Sequence, residues 1–379
     1  MTNTNGNRGL WLASFEEPAR IIDLPTPTAT PGSVVVEILA TFIVPYTNAI
    51  HAGKLPLLNL HLPLVPHPTS IARVYSVGPD TIRLTKGDLV FVDATVRARD
   101  DPNVVIMQGH HGGEGKQGAR LMQGEWRDGS LQRYQKVPLE NCYSLDEQRL
   151  FGKLNYDAAD LAAIPLYQVA AGAILEAKTI QAAETVIIGP SGGSFGGAAV
   201  ELALAIGANV IALGRNESKL EEMKRALGSP PQFDYVVMSG DSEKDTAAIL
   251  ERTPNRAGAE VYNDWTPGNM AEPPYLQAGL RSLKTGGTAV LSGGASQNGQ
   301  IPYAYMVHKN LTVSGKWMSS PQTLQHVITL ITQGVLRIGR NGGAKVAVYN
   351  LDDHHEAFNN AEKTGGWRDY TIITPNTSK

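Results

Sequence analysis

Cysteine is nearly absent from this 379-residue chain, in which Cys142 is the single example. One thiol cannot form an intrachain disulfide, and it cannot supply a metal site that needs two or more thiolates. We therefore expect a fold held together by its hydrophobic core. Such cysteine usage is typical of a reducing compartment, and we predict a cytoplasmic protein.

Neither an excess of one charge nor a long apolar run marks the sequence. Its 33 basic and 36 acidic residues give a formal net charge of −3, with no block of like charges. This balance argues against a nucleic-acid partner. No stretch approaches about 18 uninterrupted apolar residues, and the first residues lack the basic-then-apolar order of a signal peptide. We expect neither a membrane span nor export.

The length of 379 residues exceeds the usual size of one domain, and 42% hydrophobic with 18% charged residues is typical of globular proteins. Over residues 10–145, short β-rich runs alternate with Pro and Gly, which predicts a small antiparallel, barrel-like domain. Helical spacing over 157–177 marks a boundary. We place the domains at 1–166 and 167–320, with 321–379 returning to the first.

The second domain shows repeated strand and helix patterns. Apolar strand runs are followed by helical segments in the order TVIIG, NVIALG, YVVM, AEVYND and TAVLSGG. Repeated βα units imply a parallel sheet with helices on both faces, so the fold class is α/β with a doubly wound, Rossmann-type sheet.

A glycine-rich turn joins the first of these strands to its helix. A dinucleotide diphosphate needs backbone N–H groups and a helix N-terminus with no side chains in the way, which Gly193 and Gly196 would provide. Ser191 takes the place of the first glycine of the G-x-G-x-x-G pattern, and the alternative is a turn that only packs helix against strand. The predicted cofactor-binding residues here are Ser191, Gly192, Gly193, Ser194, Phe195 and Gly196.

The end of the second strand carries positive charge. An NAD-preferring site usually places Asp or Glu here, but this chain has Gly214 followed by Arg215, with Lys219 nearby. A guanidinium can contact a 2′-phosphate bidentately, so we predict NADP(H), the alternative for Arg215 being a solvated loop cation. Ser292, Gly293 and Gly294 end a later strand and either border the nicotinamide or form a plain turn.

The order of these blocks resembles the medium-chain dehydrogenase/reductase superfamily, and the resemblance covers nearly the whole chain. It implies a GroES-like β-rich first domain, completed by the C-terminal segment, and often a homodimer. The stretches that carry it are PGSVVVEILATFIVPYTNAIHAG, TSIARVYSVGPDTIRLTKGDLVFV, DAADLAAIPLYQVAAGAILEA and LDDHHEAFNNAEKTGG.

The resemblance also points away from a catalytic zinc. In zinc-dependent members a Cys, a His and a second Cys or Asp hold the metal, and the aligned positions here are Val44, Pro68 and Leu166. None of these side chains can coordinate zinc. The pattern is similar to the zinc-independent branch, which includes quinone oxidoreductases and enoyl or alkenal reductases, and a small molecule is the expected substrate.

Without a metal, hydrogen bonds must stabilise the developing enolate or phenolate oxygen. Tyr46 and Tyr167, beside two of the vacated positions, are candidate donors, and His51 is a third candidate. Each has an alternative reading as a packing or solvated residue. His110 and His111 lie in a glycine-rich loop near the expected cleft, and adjacent histidines chelate metal poorly.

Three kinds of function fit these patterns. The first is NADPH-dependent reduction of a conjugated double bond or quinone, and the second is reduction of an ordinary carbonyl or imine. The third is a non-redox cyclase, isomerase or binding protein on the same fold. A simple ketone builds a localised alkoxide that usually needs a metal or a strong proton donor, so the missing ligands favour the first.

Overall fold

The structure is a computed structural model that describes residues 6–268, 270–295 and 297–376. Its Cα positions form two compact units. Unit 1 runs to Pro165 and resumes over Ile338–Gly365 and from Asp369; unit 2 comprises Leu166–Arg337 and Gly366–Arg368. The predicted α/β fold, with a β-rich part and a Rossmann-type part, is confirmed.

The elements are numbered along the chain. The strands are β1 Asn7–Trp11, β2 Arg20–Leu24, β3 Ser33–Phe42, β4 Ser70–Val77, β5 Leu89–Val92, β6 Thr95–Arg97, β7 Val105–Met107, β8 Tyr134–Pro138, β9 Cys142–Ser144, β10 Thr185–Gly189, β11 Asn209–Gly214, β12 Phe233–Val237, β13 Ala259–Asp264, β14 Leu283–Leu291, β15 Thr312–Gly315, β16 Lys345–Asn350 and β17 Asp369–Thr374. The α-helices are α1 Thr47–His51, α2 Gly115–Gln123, α3 Ala158–Leu161, α4 Ile164–Ala171, α5 Ser194–Ala205, α6 Glu217–Ala226, α7 Ser242–Leu250, α8 Leu276–Arg281, α9 Tyr303–Lys309, α10 Pro321–Thr332 and α11 His354–Thr364.

Unit 1 is built on a seven-stranded sheet in the order β16-β17-β3-β4-β5-β9, with β8 also paired to β3. All its pairs are antiparallel except β16 with β17. Because strand side chains alternate between faces, Val34, Val36 and Ile38 share one face of β3 and pack in one buried cluster. The last strand, β17, pairs with β3, so the C-terminal segment completes this sheet.

Unit 2 contains a six-stranded sheet in the order β12-β11-β10-β13-β14-β15, with every pair parallel. The strand order reverses beside β10, and in such sheets ligands bind outside the carboxyl ends of the strands at this point. The unit extends to Arg337, beyond the predicted end at residue 320, because α10 packs in unit 2.

The helical segment Ala158–Ala177 is long and apolar enough to span a bilayer by length and composition. However, 78% of its most apolar window is buried inside the protein, as in the core helix of a globular fold. Its apolar character therefore has a packing explanation.

Candidate functional site

The glycine-rich turn between β10 and α5 is open on one side and tightly packed on the other. At Gly192 and Gly193 an added Cβ would meet no atom within 4 Å. At Gly196 it would lie 2.1 Å from the carbonyl oxygen of Pro190. The backbone of the first two glycines can therefore be approached by a ligand, whereas Gly196 lets α5 pack on the turn.

Ser191, which replaces the first glycine of the pattern, ties the turn to the neighbouring strand. Its N–H donates to the carbonyl oxygen of Leu213 at 2.9 Å. Its hydroxyl donates to the same oxygen at 3.1 Å, and the side chain is fully buried. The serine thus fixes the turn against β11 without projecting into the open side.

The N-terminus of α5 presents free backbone donors. Gly193 is the N-cap residue, and no side chain caps the helix. The first four N–H groups of an α-helix have no carbonyl partner inside the helix, and here they belong to Gly193, Ser194, Phe195 and Gly196. Together with the helix dipole they favour an anion such as a diphosphate.

Two cations lie beyond the end of β11, which pairs with β10 in parallel. Arg215 and Lys219 are both exposed. The Asn216 side chain accepts a hydrogen bond from the Lys219 N–H at 3.1 Å and so caps α6. Within the described part of the chain, neither cationic side chain forms a hydrogen bond or ion pair. Both are therefore available to a phosphate at this edge of the sheet.

The chain beyond the carboxyl ends of β13 and β14 forms a polar turn around Asp264. This carboxylate accepts hydrogen bonds from the Tyr262 hydroxyl at 2.8 Å and from the Thr266 N–H and hydroxyl at 3.1 and 3.0 Å. Burial raises the pKa of Asp264, while these bonds oppose the shift. A Cβ at Gly293 would lie 2.5 Å from the Thr266 oxygen, so the predicted Ser292–Gly294 segment packs directly on this turn.

The same edge holds two buried polar atoms without a partner among the described residues. They are the hydroxyl of Ser292 and the indole nitrogen of Trp265. The Trp265 ring stacks on Phe195, with centroids 6.2 Å apart and planes at 17°. Because β10 and β13 pair with Gly189 opposite Asp264, these groups lie at the sheet edge that carries the glycine-rich turn.

In unit 1, the rings of His110 and His67 lie near Tyr46. The Tyr46 and His110 ring centroids are 6.3 Å apart, and His110 and His67 are also 6.3 Å apart, edge to face. The His67 Nε2 lies 2.6 Å from the Phe42 carbonyl oxygen. His51 packs edge to face on a phenylalanine of α11 at 5.1 Å. Tyr46 is 36% exposed, and no hydrogen bond to its hydroxyl exists among the described residues.

The protein environment keeps these rings neutral. Desolvation lowers the pKa of His51 and His110 to about 3 and that of His67 to about 4. Desolvation also raises the pKa of Tyr46 to about 12. At neutral pH the cluster therefore offers a protonated phenol and uncharged imidazoles. No group of three or more His, Cys, Asp or Glu side chains is arranged to hold a metal in the described ranges.

The third catalytic candidate, Tyr167, belongs to unit 2 and has a partner. Its hydroxyl donates to the Glu201 carboxylate at 2.6 Å, and the side chain is 1% exposed. This bond gives the phenol a structural role within unit 2. The predicted metal-ligand positions are buried residues, Val44 and Pro68 in unit 1 and Leu166 in unit 2.

Several residues at these sites were missed by the sequence reasoning. These residues are Asp264, Trp265, Glu201 and Arg368, and no local motif marks them. The Glu201 carboxylate and the Arg368 guanidinium are partners that lie 167 residues apart, whereas the Asp264 carboxylate binds Tyr262 and Thr266 close by. The nearest signal was the polar NDWT stretch directly after a buried strand run, where ligands collect in parallel sheets.

Comparison with known proteins agrees with this architecture. Residues 195–333 match the family model described as zinc-binding dehydrogenase. That match covers most of unit 2 and none of the three predicted metal-ligand positions. The match is confined to the part of the chain that holds the parallel sheet.

Solved structures share the fold over the whole chain. The crystal structure of AibC has a TM-score of 0.78 at 19% identity, covering 98% of this chain and 97% of that one. An alcohol dehydrogenase superfamily protein from Novosphingobium aromaticivorans has a TM-score of 0.73 at 21% identity, covering 97% and 99%. A protein from Sinorhizobium meliloti 1021, described as a zinc-binding dehydrogenase bound to NADP, has a TM-score of 0.74 at 18% identity, covering 98% and 100%. At identities of 18–21%, these likenesses show that the chain shares the fold of these proteins.

Proposed function

We propose that this chain is an NADPH-dependent oxidoreductase of the medium-chain dehydrogenase/reductase type that reduces a small conjugated acceptor without a catalytic zinc. The observation that carries the proposal is the sheet edge of unit 2. There an uncapped helix N-terminus, two uncovered glycines and the exposed Arg215 follow two adjacent parallel strands. Diphosphate and 2′-phosphate recognition need this combination of groups.

The residues present fit the cofactor. Free N–H groups at Gly193 and Ser194 would hold the diphosphate, and Arg215 and Lys219 would hold the 2′-phosphate. The unpartnered Ser292 hydroxyl and the Trp265 N–H are donors at the same sheet edge. When bound, NADPH supplies a hydride, and the protein supplies binding, orientation and charge stabilisation.

Zinc independence is supported by the side-chain chemistry at Val44, Pro68 and Leu166, none of which is a metal ligand. A conjugated acceptor suits such a site because its developing negative charge is delocalised.

Tyr46 is the candidate hydrogen-bond donor to the acceptor oxygen. Its phenol is protonated at neutral pH, and its hydroxyl has no partner among the described residues. His51 remains a second candidate, and Tyr167 is a third whose hydroxyl already binds Glu201.

The test uses the purified protein with each nucleotide in turn. We expect NADPH fluorescence to change at lower concentrations than NADH fluorescence, and NADPH to be oxidised by trans-2-hexenal or 1,4-naphthoquinone faster than by cyclohexanone. Metal analysis of the active protein should find less than about 0.1 zinc per chain. Faster oxidation by cyclohexanone would favour carbonyl reduction, and failure to bind either nucleotide would favour a non-redox role.

A further inference from the structure

Three residues near the C-terminus lie against the glycine-rich turn. Gly366–Arg368, here called the Trp367 strap, belong to unit 2, although the residues on both sides belong to unit 1. The Trp367 N–H donates to the Gly192 carbonyl at 3.0 Å, and the Ser194 hydroxyl donates to the Gly366 carbonyl at 3.2 Å. The strap therefore bonds to the turn on both sides of Gly193.

The first of these bonds orients a peptide group. In a planar trans peptide, the carbonyl of one residue and the N–H of the next point in opposite directions. Since the Gly192 carbonyl points toward Trp367, the Gly193 N–H points away from the strap. That N–H is one of the uncapped donors at the start of α5.

The strap itself is anchored by a buried ion pair. The Arg368 guanidinium donates to one Glu201 carboxylate oxygen from Nε at 2.7 Å and from Nη2 at 2.6 Å. The Tyr167 hydroxyl occupies the other oxygen at 2.6 Å. The Arg368 and Glu201 side chains are 15% and 5% exposed. Removing one partner leaves an unpaired charge in the interior, so the strap is held firmly only when both are present.

Two further features show how closely the strap is fitted. Arg368 has φ +60°, a conformation that non-glycine residues adopt at a cost and keep only when their surroundings require it. Gly197 lies under the Trp367 ring, where an added Cβ would be 2.1 Å from Cδ1. A methyl group at Gly197 would therefore push Trp367 away without altering any charge.

We propose that Trp367 and Arg368 are positioning residues of the diphosphate site: the Arg368–Glu201 pair holds Trp367 on the Gly192 carbonyl and thereby sets the direction of the Gly193 N–H. This inference rests on the function proposed above. We expect the strap to affect binding of the diphosphate alone. The residues proposed to bind the 2′-phosphate, Arg215 and Lys219, are not part of the strap.

The first experiment measures nucleotide dissociation constants for Arg368→Met, with Arg340→Met as the matched control. Arg340 also forms ion pairs with carboxylates, those of Asp157 and Asp160 in unit 1, but its side chain is 43% exposed. We expect Arg368→Met to weaken NADPH and NADH alike, by about tenfold or more, so that their ratio stays that of the wild type. Arg368→Lys should recover part of the loss, and Arg340→Met should bind as the wild type does.

A second ligand separates positioning from general loss of structure. 2′-AMP carries the adenosine 2′-phosphate but no diphosphate, so Arg368→Met should bind it within twofold of the wild type. Gly197→Ala displaces Trp367 by a different route and should reproduce the same pattern. If Arg368→Met does not fold, as judged by circular dichroism, Gly197→Ala decides the question.

The outcomes are distinct. Failure of the wild type to bind either dinucleotide overturns the proposed function and this inference with it. Wild-type binding of NADPH together with unchanged binding by both Arg368→Met and Gly197→Ala overturns the inference alone. A parallel loss of 2′-AMP in the variants also overturns it, because the strap would then be a general structural support.

Discussion

The two units assemble their polar sites in opposite ways. In unit 2, the proposed anion site consists of backbone groups of one turn, and the strand and helix that this turn joins are consecutive in sequence. In unit 1, the polar site consists of side chains, and Tyr46, His67 and His110 come from separate loops. A backbone site tolerates side-chain variation but depends on glycine, whereas a side-chain site depends on a few rings kept neutral by burial. The two units should therefore respond differently to acid, to added methyl groups and to lost charges.

Acid should affect the side-chain site most. Burial lowers the pKa of His51, His67 and His110 to about 3 to 4, whereas an unfolded chain binds these protons near pH 6.5. Lowering the pH from 6.5 toward 4 therefore favours the unfolded state, by at most about 1.4 kcal/mol per pH unit for each histidine. Urea unfolding at pH 7 and pH 5 measures this loss.

The histidine contribution has its own control. His110→Gln should flatten the pH dependence of the unfolding free energy, while His308→Gln, at an exposed position, should leave it unchanged. Equal slopes for wild type and His110→Gln would show that the acid sensitivity arises elsewhere.

Added methyl groups should distinguish the two sides of the turn. Gly196→Ala forces a contact with the Pro190 carbonyl, and overpacking of this kind costs roughly 1 to 3 kcal/mol. We expect a lower melting temperature and at least tenfold weaker NADPH binding. Gly192→Ala, where a Cβ meets nothing, should keep the wild-type melting temperature. A lower melting temperature for Gly192→Ala alone would reverse the assignment of the open and packed sides.

Loss of the Arg215 charge should weaken binding of NADPH much more than binding of NADH. Arg215→Ala removes a charge-assisted contact worth about 1.5 to 3 kcal/mol, so NADPH should bind about 10- to 100-fold more weakly while NADH binding stays within twofold. Arg225→Ala, which removes an exposed arginine from the last turn of α6, serves as the control and should bind both nucleotides as the wild type does. Equal weakening of both nucleotides by Arg215→Ala would remove the 2′-phosphate assignment.

The two tyrosines should give the smallest and most specific effects. Tyr46→Phe removes a phenol without a described partner, so we expect about a tenfold lower turnover with trans-2-hexenal and an unchanged melting temperature. Tyr167→Phe removes a donor to the buried Glu201, so we expect a loss of roughly 1 to 2 kcal/mol in stability and little change in turnover. The opposite pattern would give Tyr46 the structural role and Tyr167 the role of hydrogen-bond donor to the substrate.

Local sequence predicted the strand, the turn and the helix at the proposed diphosphate site, because these three elements are contiguous. The same reasoning assigned ligand approach to both Gly193 and Gly196, and the structure gives Gly196 a packing role. That difference depends on the Pro190 carbonyl, whose position is set by the fold of the turn and leaves no mark in the glycine spacing.

The side-chain contacts were less accessible to sequence reasoning. His67 and His110 lie far apart in sequence yet form one edge-to-face pair. Glu201 and Arg368 form an ion pair although 167 positions separate them in sequence. Burial and pairing of such groups depend on tertiary packing, which periodicity and propensity do not report.

The interleaving of the chain has a practical consequence for dissecting it. A fragment ending at Arg337 would contain every strand of the parallel sheet, yet it would lack the three residues that hold the Gly192 carbonyl. Transplanting residues 166–337 into a chimera would therefore carry over the sheet and the glycines but leave out the Trp367 strap, which we propose orients the Gly193 N–H.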